Sequence, residues 1–116
     1  MNSEARREWT GEAARYLAEN YKPGSGIAFS FGDLAGVLRE AGIPIREALH
    51  EGNHPEWDAA IARPDLMLSK AWVMVNAGDD LDMAVRTADR QGVHYQLERQ
   101  IMVKDAPVVE IYRRQP

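Results

Sequence analysis

The densest concentration of potential chemistry in this chain is His50-Glu51-Gly52-Asn53-His54, inside the stretch "ALHEGNHPEW". Two histidines four residues apart, with a glutamate beside the first, form the zinc-binding pattern of many metallopeptidases. One helical turn brings both imidazoles to one face, and the glutamate acts as general base on metal-bound water. That chemistry needs an unbroken helix. Here Gly52 and Asn53 fill the interior of the would-be turn, and Pro55 disfavours helical backbone at His54. The remaining histidine is His94, and no third ligand stands at a suitable spacing. The segment is therefore expected to form a strand end, a loop and a new helix start, with no metal and no cofactor.

Other groupings meet the same scrutiny. "GSG" precedes an apolar run, whereas a phosphate cradle needs its glycines after a strand and opening a helix. "SFGDLAG" has Gly32 in that place, but Asp33 follows it, and a carboxylate there repels phosphate. Asp33 reads instead as an N-cap. Asp79, Asp80 and Asp82 could hold a hard cation. Acids in the first turn of a helix also complement its dipole, and that reading is preferred.

The elements that must position these residues follow from periodicity. Residues 4–21 carry Ala5, Trp9, Ala13, Leu17 and Tyr21 on one face, with Tyr16 beside them, an amphipathic helix. Gly11 weakens its middle by about 1 kcal/mol, and Thr10 is a competent start. "IAFSF" (27–31) reads as a strand, followed by a helix from Asp33 with Leu34, Val37, Leu38 and Ala41 inward and Gly42 as its stop. "IPIREAL" is a weaker strand, with Pro44 marking an edge or a strand start. "NHPEWDAAIARP" is a helix capped by Asn53 or His54 and ended by Pro64. "KAWVMVN" (70–76) is apolar on both faces, as a central parallel strand should be. "GDDLDMAVRTADRQG" repeats the helix signature, with Asp79 or Asp80 as cap and Gly92 as stop. From residue 93 to 103, Val93, Tyr95, Leu97, Ile101 and Val103 alternate with polar residues, interrupted at Arg99. "KDAP" then turns into "VVEIYRR", completing a β-hairpin.

The expected order is α-β-α-β-α-β-α-β-β in a single domain spanning 1–116. It implies an α/β three-layer sandwich with a Rossmann-like, mostly parallel sheet of about five strands, an antiparallel hairpin at the end and an N-terminal amphipathic helix. In an open parallel sheet, ligands gather outside the carboxyl ends of the strands. That rim holds Ser30, Gly32 and Asp33, then Glu51 to His54, then Asn76 and Asp79. The candidate binding residues are Ser30, Asp33, Glu51, Asn53, His54, Trp57 and Asn76; none is assigned a catalytic role.

Composition narrows the function classes. Hydrophobic residues make up 45%, enough for a core, and the formal net charge of −4 with dispersed basic residues argues against nucleic acid. The absence of cysteine excludes disulfides and thiolate metal sites. No apolar run approaches the roughly 20 residues that span a bilayer, and "MNSEARREW" lacks the features of a signal peptide.

Several stretches together resemble the C-terminal soluble domain of bacterial multi-spanning membrane glycosyltransferases similar to dolichyl-phosphate-mannose–protein mannosyltransferases. They are "RYLAENYKPGSGIAFSF", "HEGNHPEWDAAIARP" with Glu51, Gly52, Asn53 and Trp57, the strand "AWVMV", and the ending "YQLERQIMVKDAPVVEIYRR". The resemblance runs from Trp9 to Arg114. It implies an α/β domain on the extracytoplasmic face of the membrane, beside a catalytic site built by the membrane-spanning portion of the enzyme. The donor would be a polyprenyl-phosphate sugar, and the domain would support recognition of a glycolipid head group or an acceptor polypeptide. It carries over no catalytic residue, and no activity is expected of this chain alone. Two further readings stand beside it: a free-standing, cytoplasmic α/β binding module, and a small zinc hydrolase using His50 and His54.

Overall fold

A computed structural model describes residues 3–30 and 32–116. The elements follow in the order α1 (Ser3–Asn20), β1 (Ile27–Phe29), α2 (Leu34–Ala41), a 3-10 turn (Ile45–Glu47), β2 (Ala48–Leu49), α3 (Glu56–Ala62), α4 (Pro64–Met67), β3 (Trp72–Asn76), α5 (Asp80–Arg90), β4 (Tyr95–Ile101) and β5 (Val109–Arg114). The strands form one mixed sheet in the order β2-β1-β3-β5-β4. β1 pairs in parallel with β2 and β3, whereas β5 runs antiparallel to both β3 and β4. The chain is thus mixed α/β, parallel in its first half and antiparallel at its end.

Strand alternation divides the core into two clusters. Ile27, Phe29, Trp72, Met74, Ile101, Val109 and Ile111 meet α1 and α2 through Trp9, Leu17, Leu34, Val37 and Leu38. Ala28, Leu49, Val73, Val75, Tyr95 and Tyr112 meet the second group of helices through Trp57, Ala60, Leu81 and Val85. Because consecutive strand residues point to opposite faces, the two clusters lie on opposite sides of the sheet.

Several local expectations are corrected. Helix α1 does not start at Thr10: it runs through that position, and the Thr10 hydroxyl donates to the Arg6 carbonyl at 2.7 Å. Burial of Ala5 and Trp9 in the same stripe outweighs the propensity cost of Gly11. β1 ends at Phe29, and the predicted strand residue Phe31 lies outside the described residues. The weak second strand shrinks to two residues behind the 3-10 turn. Pro64 ends α3 and also opens α4, its missing N–H costing nothing at a helix start.

The hairpin carries the sharpest difference. The alternation predicts Tyr95, Leu97 and Ile101 on one face. Leu97 pairs with Tyr112 and Arg99 with Ile111, so one extra residue, Glu98, bulges between them. A bulge inverts the side-chain parity. Tyr95 therefore joins one cluster and Ile101 the other, while Arg99 reaches Glu12 of α1 at 3.1 Å and lies over the Tyr16 ring.

At the amino ends of the strands, Tyr21 donates its hydroxyl to Glu47 (2.5 Å), and the Gly24 amide donates to the same carboxylate oxygen at 2.8 Å. The bond from Tyr21, followed by that from Gly24, holds the Glu47 carboxyl below the usual carboxylate range. This clasp ties the turn after α1 to the 3-10 turn.

Candidate functional site

The His50–His54 segment bends. β2 ends at Leu49, the Asn53 amide donates to the His50 carbonyl at 2.8 Å, and α3 begins only at Glu56. The Asn53 side chain accepts from the His50 amide at 3.0 Å, closing the loop on itself. Each histidine is engaged separately. His50 Nδ1 accepts from the Gly52 amide at 3.0 Å and its ring tilts against Phe29, whereas His54 Nδ1 lies 2.9 Å from Asp58 Oδ2 on an exposed turn. The helical face that a metallopeptidase requires is not formed. Among the described residues, no group of three His, Asp or Glu side chains is arranged to hold a metal ion.

The strand order points elsewhere. From β1 the chain crosses through α2 to β2 on one side, then returns past β1 to β3 on the other. The helices after β1 and β3 pack on opposite faces, so a crevice opens between the carboxyl ends of these two strands. A cleft of about 340 Å³ lies there, lined by Ser30, Glu51, Trp57, Asn76, Asp79 and Asp80.

Asp79 organises it. Residues 76–79 form a turn closed by the Asp79 amide on the Asn76 carbonyl (3.0 Å), with Gly78 at φ +86, a conformation that side-chain-bearing residues resist. The extended backbone of Asp79 turns its carboxylate back over α5, where Oδ1 accepts from the Asp82 amide at 2.9 Å. Oδ2 accepts from the Ser30 hydroxyl at 2.7 Å and from the Asn76 amide at 3.1 Å. Three donors thus fix one carboxylate and join the end of β1 to that of β3. Because Ser30 gives its only proton to Asp79, its oxygen can offer the cleft only lone pairs.

Immediately behind the cleft, Asp82 is fully buried. Its Oδ2 accepts from the Gly78 amide at 2.7 Å, while Oδ1 faces Arg86 Nε at 3.3 Å. On β5, Glu110 is also buried and accepts from Gln100 (3.0 Å) and the Tyr112 hydroxyl (3.2 Å). Burial first, then the Glu110 and Asp82 carboxylates, push the Tyr112 phenol up to about 12.

Of the residues chosen from the sequence, Ser30, Glu51, Trp57 and Asn76 come together in the cleft. Trp57 is mostly core, 7% exposed. Asp33 pairs with Arg6 at 3.6 Å, Asn53 is absorbed in its own loop, and His54 pairs with Asp58 in the open. Asp80 lines the cleft although the sequence marked it only as a cap or dipole partner. Asp82, assigned the same dipole role, proves to be a buried strut; its spacing of three from Asp79 was the available signal. No protein-family profile matches the chain, no curated protein matches it, and no solved structure matches its fold. Among the described residues, no helix is long and apolar enough to cross a membrane.

Proposed function

We propose that this chain is a non-catalytic accessory domain of a membrane glycosyltransferase that uses a polyprenyl-phosphate sugar, and that its rim cleft receives the hydroxylated acceptor. On this reading the fold is a Rossmann-like three-layer sandwich on the extracytoplasmic side, working beside the membrane-spanning portion that carries the chemistry. Support comes from the segments resembling that enzyme group, including Glu51, Asn53 and Trp57, and from the cleft.

The observation that carries the proposal is the polarity of the cleft lining. Glu51, Asp79, Asp80 and the lone pairs of Ser30 are acceptors, Asn76 offers both functions, and among the described residues no Lys or Arg lines the space. Such a surface suits a ligand rich in hydroxyl donors and disfavours a phosphate, so acceptor recognition is preferred over capture of the lipid phosphate.

The test is an amide and indole NMR titration of the chain with free hexoses and with the corresponding hexose phosphates. Shifts at Ser30, Asn76 and the Trp57 indole with the neutral sugar, weakened in Asp80→Ala, are expected. Preferential binding of the phosphate would reject the acceptor reading. The genomic reading frame upstream of Met1 tests the transferase context: many apolar segments are expected there, and an immediate stop codon would make the chain a free-standing binding module.

A further inference from the structure

The topology of the sheet sorts charge between its two ends. Three parallel strands begin at one end, and β5, antiparallel to β3, finishes there, with Arg113 opposite Trp72 and the Arg114 amide on the Ala71 carbonyl. Lys22 precedes β1, Arg46 precedes β2 and Lys70 precedes β3. Neighbouring strands are about 4.8 Å apart, so the four strand ends span only about 15 Å. Lys22, Arg46, Lys70, Arg113 and Arg114 therefore gather at the amino ends, whereas Glu51, Asp79 and Asp80 occupy the opposite rim. In a chain of net charge −4, five cations thus share one end of the sheet, with Glu47 and Glu56 beside them.

Among the described residues, none of these five cations has a carboxylate within ion-pair distance. Nearby acids take their closest partners elsewhere: Glu47 accepts from Tyr21 and Gly24 and feels Arg46 and Lys70 only at longer range, Asp65 pairs with Arg63, and Asp89 with His94.

Exposed apolar side chains stand among the cations. Ile45, 56% exposed, shares a hollow with Arg46, Lys70 and one carboxylate, Glu56. Leu66 and Met67, 66% and 52% exposed, lie on α4, directly before β3. The Leu68 carbonyl at the end of α4 accepts from Arg114 at 3.1 Å and from the Tyr95 hydroxyl at 3.3 Å, fixing α4 to this pole. A purely basic face suits any polyanion. Apolar side chains projecting between the cations suit a charged surface that overlies hydrocarbon.

We propose that the amino-terminal end of the sheet docks on an anionic lipid surface, with Ile45, Leu66 and Met67 entering the head-group layer while the five cations meet lipid phosphates. This goes beyond the rim-cleft reading and does not rest on it.

The experiment is vesicle flotation of the full chain. One set of vesicles is phosphatidylcholine alone, and the other contains a third phosphatidylglycerol. Retention on the anionic vesicles at low salt and its loss at molar salt are expected. Each of Arg46→Gln and Lys70→Gln should weaken binding about fivefold. The triple variant Ile45→Ser, Leu66→Ser, Met67→Ser should weaken it at least about tenfold. These side chains are exposed, so an unchanged thermal melt establishes that the variants fold. Equal retention on both vesicle types, or no retention at low salt, would overturn the proposal. So would full binding by the triple variant together with competition by a single-stranded oligonucleotide, which would reveal a general polyanion face. The sugar titration reads the other pole, so either proposal can fail alone.

Discussion

The units β1-α2 and β3-α5 are written in similar residues and built differently. Each has an apolar strand, a glycine with positive φ (Gly32 at +87, Gly78 at +86), an aspartate and an amphipathic helix. Asp79 has extended backbone and caps α5, whereas Asp33 sits at φ −61, ψ −23 and makes no cap bond. An N-cap side chain reaches the next turn only from extended backbone. In "NAGDD" two residues separate the strand end from the cap, and the turn they form supplies that geometry; after β1 the aspartate is already coiled into the helix and turns to Arg6. The lesson is that a capping residue type marks a helix start without guaranteeing a cap.

Predictions can break this contrast. The largest effect is expected at high pH on the α5 side, where Tyr95 and Tyr112 both titrate at about 12, burial being the first cause for each. An unfolded tyrosine ionises near 10, so the folded state holds these protons longer. Their stabilisation is complete below pH 10 and is lost as pH rises toward 12. Chemical denaturation across that interval should show the loss, and amide exchange should accelerate in α5 before α2. Simultaneous loosening of both helices would contradict the contrast.

Next in size, Asp79→Ala should cost about 2 kcal/mol, removing a cap and stranding the Ser30 and Asn76 donors. That corresponds to a fall of roughly 10 °C in Tm for a domain this size. Asp79→Asn, which keeps an acceptor oxygen, should recover more than half of it. Gly32→Ala and Gly78→Ala should each cost about 1–2 kcal/mol from backbone strain alone. Among the described residues, and chain neighbours aside, neither new Cβ would meet an atom within 4 Å, so their near-equality isolates the shared part of the two units. Asp33→Ala should change stability by less than about 0.5 kcal/mol, since its ion pair with Arg6 is exposed. A Tm loss for Asp33→Ala matching that of Asp79→Ala would erase the distinction.

Periodicity made the elements readable in order, because each helix needs one apolar stripe and β3 is buried on both faces. The bend at residues 52–55 was also legible, since Gly52, Asn53 and Pro55 all oppose a continuous helix. What escaped prediction depended on tertiary context. Trp9 kept α1 intact past Gly11, the Glu98 bulge swapped the faces of β4, and β2 was cut short behind Pro44. For the cleft, the carboxyl-end rule found Ser30, Glu51 and Asn76, but it could not tell inward from outward loop residues. Asp33, Asn53 and His54 share the rim sequence and turn elsewhere, and the choice is made by side-chain partners that no spacing encodes.

The bulge at Glu98 has a consequence for how this protein behaves at high concentration. β4 is the long outer margin of the sheet, seven residues with one flank open. A flat margin of that length invites a strand from a neighbouring molecule and, eventually, fibrils. The kink spoils the straight template that such a strand would need. Straightening that border by deleting Glu98 should raise light scattering as the protein is concentrated.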